Sequence, residues 1–149
     1  MDNKNNYDHM LFYFAYKTFI NTADDIIKDH GMSRQHHRFL FFIDQLPGIT
    51  IKDLLETLEI SKQASHASLK MLKEKGLIRD ADSPNDKRVK CLYPTEEGSA
   101  LVNKLNRAQN ELLQETFGEA GTDWHEVMEQ LADHRSGFKN IKSLKPKDK

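Results

Sequence analysis

Residues 77–98 read LIRDADSPNDKRVKCLYPTEEG. Leu77 to Ala81 and Arg88 to Tyr93 read as two strands, and Ser83, Pro84, Asn85 and Asp86 between them are turn formers. Pro94 and Thr95 then begin a long helix, since proline is tolerated in a first helical turn. A tight hairpin that runs straight into a long helix is a wing.

Working back from the hairpin, Gly76 is a helix stop and Ser61 caps a helix that runs to Lys75. Before it, Thr50 is a good N-cap, with Asp53 three residues on and Ile49 placed to staple against Leu54. The short helix that follows, to Thr57 or Leu58, buries Ile51, Leu54, Leu55 and Leu58. Two short helices joined by a tight turn form a helix-turn-helix. In the second of them Ser65, Ser68, Leu69 and Leu72 share one face, while Lys62, Gln63, His66, Ala67, Lys70 and Lys73 share the other. That outward face carries amide, imidazole and ammonium groups and no acid.

The flanks are helical too. Asp8 to about Lys28 holds no glycine or proline, and Leu11, Phe12, Tyr13, Phe14, Tyr16, Phe19 and Ile20 nearly encircle it. A helix apolar on most sides must be covered on most sides, by its own domain and by a second subunit. Gly31 ends it. Ser33 then caps a helix with Phe39, Leu40, Phe42, Ile43 and Leu46 at helical spacing, and Pro47 and Gly48 stop that one. After the hairpin, Leu101, Leu105, Ala108, Leu112 and Phe117 line one side of a long helix that Gly118 and Gly121 break. Thr122 caps a last helix with Trp124, Val127, Met128, Leu131, Phe138 and Ile141 in a stripe. The expected fold is mainly α with a small antiparallel β-hairpin wing, a winged helix-turn-helix whose N- and C-terminal helices form a dimerisation domain. Residues 1–149 form one unit, with the winged module at 33–95 and dimerisation helices at 8–30 and 96–143.

Composition bounds the function. At 149 residues the chain is the size of one domain, with 38% hydrophobic and 30% charged residues. No apolar run approaches the roughly 20 residues of a membrane span, and Met1 to Asn6 lacks the apolar core of a signal peptide, so a cytoplasmic protein is expected. Cys91 is the only cysteine, which excludes an internal disulfide and a thiolate zinc cluster, and it reads as a small buried hydrophobe. The net charge is −1, yet from Ser61 to Lys90 eight lysines and arginines face four acids, a local +4. Lys142, Lys145, Lys147 and Lys149 form a second basic run, read as a solvated tail. There is no phosphate-binding glycine loop, no nucleophile elbow and no paired carboxylates, so no enzyme is expected.

Pro47-Gly48-Ile49-Thr50, Leu54-Leu55, Ile60-Ser61, Leu69 and Leu72, Glu74-Lys75-Gly76-Leu77-Ile78, Asp86-Lys87-Arg88 and Pro94-Thr95-Glu96-Glu97-Gly98, in this order, resemble the MarR family of bacterial winged helix-turn-helix regulators. The resemblance spans nearly the whole chain, and its most specific part is residues 77–98. It implies a triangular homodimer with interleaved terminal helices, a sequence-specific transcriptional regulator, read as a repressor, on a pseudo-palindromic DNA operator. It also implies release by a small, often aromatic effector held between the dimer helices and the DNA-binding module. Two positions depart from the family pattern. Glu59 stands in the turn where glycine is usual, and Ser65 and Ser68 stand on the inward face where larger apolar residues or proline are common.

A reading helix needs short or amide side chains near its N-terminus, flanked by cations. Ser61, Lys62, Gln63, Ser65 and His66 are the candidate set, with Gln63 suited to adenine and Lys62, His66 and Lys70 to guanine edges or phosphates. Lys87 and Arg88 extend it onto the wing, where Arg88 resembles the family's minor-groove arginine. Asp86 either orients Arg88 or braces the wing through another arginine such as Arg79. Tyr13, Tyr16, His36, His37 and Phe42 are the candidate lining of an effector pocket, against the plainer reading of aromatics at helical spacing as core. Neither a cofactor nor a metal is expected: His30, His36 and His37 lack companions at ligand spacing. A winged helix used only to bind protein remains the alternative, distinguished by the absence of salt-dependent DNA affinity.

Overall fold

The computed structural model describes residues 3–117 and 123–145. Eight helices occur among them: α1 (Asn3–Asn21), α2 (Asp24–Asp29), α3 (Arg34–Gln45), α4 (Ile51–Leu58), α5 (Lys62–Glu74), α6 (Glu96–Phe117), α7 (Asp123–Ala132) and α8 (Ser136–Lys139). Three strands, β1 (Ile49–Thr50), β2 (Ile78–Asp82) and β3 (Lys90–Pro94), pair antiparallel in the order β1-β3-β2, with Ile49 opposite Leu92 and Asp80 opposite Leu92 on its other edge. Among the described residues no helix is long and apolar enough to cross a membrane.

One core unites these elements. Phe39, Leu40 and Ile43 of α3, Leu54 of α4, Leu72 of α5, Leu92 of β3, and Val102 and Leu105 of α6 are all removed from solvent. Each such side chain contributes about 1.5–3 kcal/mol relative to leaving it exposed. Ser33, Thr50, Ser61 and Thr95 accept hydrogen bonds from the amides of His36, Asp53, Ala64 and Gly98: the three expected caps start α3, α4 and α5, and Thr95 caps α6, which leaves Pro94, expected to begin that helix, at the end of β3. At α3 the box is reciprocal, because His36 Nδ1 accepts from the Ser33 amide at 2.9 Å. Ser99 Oγ donates to Asp44 Oδ1 at 2.6 Å and ties α6 to α3.

The flanks differ from expectation. The helix foreseen from Asp8 to Lys28 starts at Asn3 and is two helices, α1 and α2, broken at Thr22 and Ala23. Thr18 and Thr22 turn their hydroxyls onto the carbonyls four residues back, at 2.8 and 2.9 Å, which loosens the helix end. Arg34 then pins the break from α3, donating to Asn21 Oδ1 at 2.6 Å and Asp24 Oδ2 at 2.7 Å. The last helix is also in pieces. Between α7 and α8 the backbone turns through Asp133 and His134, and Arg135 is extended (φ −104°, ψ 130°). The expected breaks at Gly118 and Gly121, the cap at Thr122, the Phe117 side chain, and Lys147 and Lys149 lie outside the described residues. The hairpin strands are shifted by one or two residues, and β1 adds a third strand to the wing.

Helices α4 and α5 end alike. Ile60 N–H donates to Leu55 O and Glu59 N–H to Glu56 O, while Leu77 N–H donates to Leu72 O and Gly76 N–H to Lys73 O. This two-bond closure puts one residue in the left-handed region, which glycine adopts freely. Gly76 has φ +72°, and Glu59 is the one non-glycine among the described residues with positive φ, at 56°. The departure at Glu59 is therefore a real backbone cost, on the order of 1 kcal/mol.

Candidate nucleic-acid interface

Lys62, Gln63, His66, Ala67, Lys70 and Lys73 are all exposed on one side of α5, while Ser65, Ser68, Leu69 and Leu72 are buried on the other. Ser65 does not join the exposed set of candidates. It is 2% exposed and donates its hydroxyl to the Lys62 carbonyl at 2.7 Å, so it lies on the core side of the helix. Ser61 is exposed but spends its oxygen on the Ala64 amide. Gln35 Nε2 donates to Ala64 O at 2.9 Å and fixes the first turn of α5 against α3, a positioning residue that local sequence pattern gave no reason to single out.

Counter-ions sort the cations. Lys73 pairs with Asp80 of β2 at 2.5 Å and holds that carboxyl below the usual carboxylate range. Lys90 pairs with Asp82, and Lys70 lies 4.0 Å from Glu74, which stands exposed one turn on along the same side of α5, so the face expected to carry no acid carries one at its C-terminal end. Lys62 and Lys87 meet no acid within ion-pair distance among the described residues, so their charge is available to an outside anion. Arg88 projects from the hairpin with its side chain 91% exposed. Asp86 accepts from its Nε at 3.2 Å, from its Nη2 at 3.3 Å and from its amide at 3.0 Å, so the aspartate orients the wing arginine. Arg79 does not reach Asp86; its guanidinium lies 4.4 Å from the Tyr93 ring centroid and packs the wing by a cation–π contact.

Between α4, the start of α5 and the wing lies a cleft of about 780 Å³, with Leu55, Ile60 and Val89 in its wall and Lys52, Lys62, Arg88 and Lys90 around it. Glu56 and Glu59 line it too, the latter tied to Arg135 at 2.9 Å. Lys52 is a member of this set that the sequence pattern did not mark. Four cations around one cleft, next to the acid-free N-terminal turns of α5, suit a strand of phosphates beside a groove.

The aromatic candidates divide. A pocket of about 260 Å³ is lined by Tyr16, Phe19, Ile20, Arg34, His37, Arg38, Phe41 and Gln109. Tyr16 and His37 are in it and the other three candidates are not. Tyr13 is 57% exposed and packs edge-on against Phe14, His36 is the cap partner of Ser33, and Phe42 packs edge-on against Phe41. His30 Nδ1 contacts the Ile26 carbonyl at 2.9 Å, and no cluster of three metal-ligating side chains occurs among the described residues. Cys91 is buried with a free thiol, as expected of a small hydrophobe.

Burial pushes the His37 imidazole below its ordinary value of 6.5, helped by Arg38 and opposed by Asp24. The fold thus favours neutral His37, and the unfolded chain binds the proton more readily. Stability should rise with pH up to about 6.5 and fall on acidification below it. His37→Gln is expected to flatten that part of the profile, read from urea midpoints between about pH 7.5 and 5.5; an unchanged slope would remove His37 as the cause.

Comparison with known proteins agrees with this geometry. A family model described as "MarR family" matches residues 30–89. The HTH-type transcriptional regulator PetP of Rhodobacter capsulatus is 32% identical over 125 residues, covering 81% of this chain and 75% of its own. FabT of Streptococcus pneumoniae, solved in complex with DNA, superposes with a TM-score of 0.68 at 19% identity over 97% of this chain and all of its own. NadR, solved with 4-hydroxyphenylacetate, gives a TM-score of 0.72 at 18% identity over 84% and 89% of the two chains. The chain belongs to the MarR family of DNA-binding transcriptional regulators.

Proposed function

We propose that two copies of this chain form a homodimer that reads a pseudo-palindromic operator with paired α5 helices in the major groove and paired wings in the minor groove. The observation that carries the reading is the N-terminal half of the exposed face of α5, where Lys62, Gln63 and His66 stand with no acid of the helix among them, next to the protruding Arg88. A dimer seated over a promoter blocks polymerase, so the expected action is repression. Residues 33–95 supply the reading module, and 8–30 with 96–143 supply the dimer helices.

The apolar surface of α1 supports the dimer. Tyr7, Met10, Leu11, Phe12, Tyr13, Phe14 and Tyr16 are each 51–61% exposed, and Val127, Met128 and Leu131 of α7 are open as well. So much exposed apolar surface marks an interface. The pocket lined by Tyr16, Phe19, Ile20 and Phe41, with Arg34, His37 and Arg38 beside them, fits a small aromatic acid: a flat apolar body against the rings, an anion toward Arg38, and neutral His37 as a hydrogen-bonding group. NadR holding 4-hydroxyphenylacetate supports that class.

Arg88 tests the reading. A guanidinium in the minor groove is attracted in proportion to groove narrowness, so Arg88→Ala should cost about 1–3 kcal/mol on A·T-rich flanks and less on G·C-rich ones. Arg88→Lys should rescue poorly, since lysine is more strongly hydrated and lacks the planar fork. Fluorescence anisotropy over a salt series decides it. A uniform loss, with the salt slope falling by about 0.9 per lost contact, would reduce Arg88 to a phosphate contact; no loss on any duplex would remove the wing from the interface.

A further inference from the structure

Three contacts join the C-terminal segment to the end of α4 and the bend that follows it. Gly137 lies backbone to backbone on Thr57: a Cβ there would overlap the Thr57 carbonyl oxygen and sit 2.8 Å from its carbon and 3.2 Å from Thr57 Cα. Asn140 Nδ2 donates to Thr57 Oγ1 at 2.9 Å, and Thr57 is buried beneath it. Arg135 Nε donates to Glu59 Oε2 at 2.9 Å. The three converge on the residues that determine how α4 hands over to α5.

Glu59 explains why such a dock is worth building. It holds a left-handed conformation that a glycine would adopt without penalty, so the bend is disfavoured in the free chain. What a glycine could not supply is the carboxylate that Arg135 grips. The bend also closes α4 through the Ile60 and Glu59 amides and leads at once into Ser61, the cap of α5. A small rotation at Glu59 would therefore swing the N-terminal end of α5, where Lys62, Gln63 and His66 stand.

We infer that Arg135, Gly137 and Asn140 are positioning residues for DNA reading: docked on Thr57 and Glu59, they lock the α4–α5 bend and set the direction in which α5 presents its exposed face. This rests on the reading of α5 as the helix that enters the groove. None of the three belongs to that face, so they act on base selection through the bend and not by contact with DNA.

The test compares wild type with Arg135→Ala, Arg135→Lys, Asn140→Ala and Gly137→Ala in the full chain. One readout is hydrogen exchange in peptides covering residues 55–64. The other is affinity for two duplexes, the consensus that the wild type selects from a random pool and a scrambled duplex of the same composition. Arg135→Ala and Asn140→Ala should speed exchange at the bend about tenfold and leave the β2–β3 hairpin unchanged. Preference for the consensus over the scrambled duplex should fall about five- to tenfold, close to the cost of one mismatched base pair, with affinity for the scrambled duplex unchanged. Arg135→Lys, which keeps the charge, should restore much of it. Gly137→Ala forces backbones apart and can unfold the chain, so the decision rests on Arg135 and Asn140. Unchanged exchange at the bend, or equal loss on both duplexes with exchange rising throughout the chain, overturns the inference. A wild type that enriches no duplex defeats the reading of α5 instead, and the exchange arm still decides whether the dock holds the bend.

Discussion

Lysine at two positions of the exposed apolar face of α1, in the paired variant Leu11→Lys and Phe14→Lys, is expected to leave a folded monomer that binds DNA about 10²–10⁴-fold more weakly. The two side chains are 53% and 61% exposed, so the chain by itself has little use for them. In a dimer each would gain about 1–2 kcal/mol by losing its remaining exposure, twice over by symmetry, and a buried unpaired ammonium would reverse the sign. The DNA effect follows from valency. Two linked reading modules make the second contact intramolecular, and a monomer forfeits that gain without losing any contact of its own. Sedimentation equilibrium at micromolar concentration checks the first step: a dimer mass for the double variant would move the interface elsewhere. Circular dichroism guards against simple unfolding.

Gly98→Ala should be among the most damaging single methyl groups that can be added to this chain. A Cβ at Gly98 would overlap the Leu77 carbonyl oxygen, sit 3.0 Å from the Leu77 carbonyl carbon and press on Leu40 at 3.3 Å. Neither backbone can yield cheaply, because the same carbonyl accepts the Thr95 amide at 3.0 Å and Thr95 in turn caps α6. The expected loss is about 3 kcal/mol or more, which lowers Tm by roughly 6–12 °C in a chain of this size. Gly76→Ala is the matched control. Its Cβ would meet only the flexible end of Glu97 at 3.7 Å, so it should suffer just the left-handed penalty at φ +72°, about 1 kcal/mol. Equal losses for the two variants would mean that α6 shifts away from Leu77 with ease.

The helix-turn-helix and wing were legible because their signals are local. Ser33, Thr50, Ser61 and Thr95 each announce a helix within four residues, and the inward and outward sets of α5 follow from helical spacing alone. What escaped notice depends on distant partners. Strand β1 is two residues long and exists because Leu92 and Cys91 lie opposite, while Thr50 within it also caps α4. The break after α1 has no glycine or proline to mark it; Arg34 reaches back from α3 to make it. Ser65 counted as a base reader by its place near the helix start, although the same spacing that buried Ser68 buries it. Gly137 lies inside the stretch expected to be one last helix, and nothing local singles it out. Its use appears only when Thr57, eighty residues earlier by position, is set against it.

The central claim, that α5 reads base sequence from its outward face, is tested most directly by selecting bound duplexes from a random-sequence pool. Wild type and a variant carrying Lys62→Ala, Gln63→Ala and His66→Ala are put through the same selection at the same salt. The account predicts that the wild type enriches two inverted half-sites centred about one helical turn, roughly 10 base pairs, apart. The triple variant should bind the pool more weakly with a shallower salt dependence, and should lose the half-site consensus while any A·T preference of the flanks persists. Enrichment of the same consensus by both proteins, or of none by the wild type at any salt concentration, would contradict it.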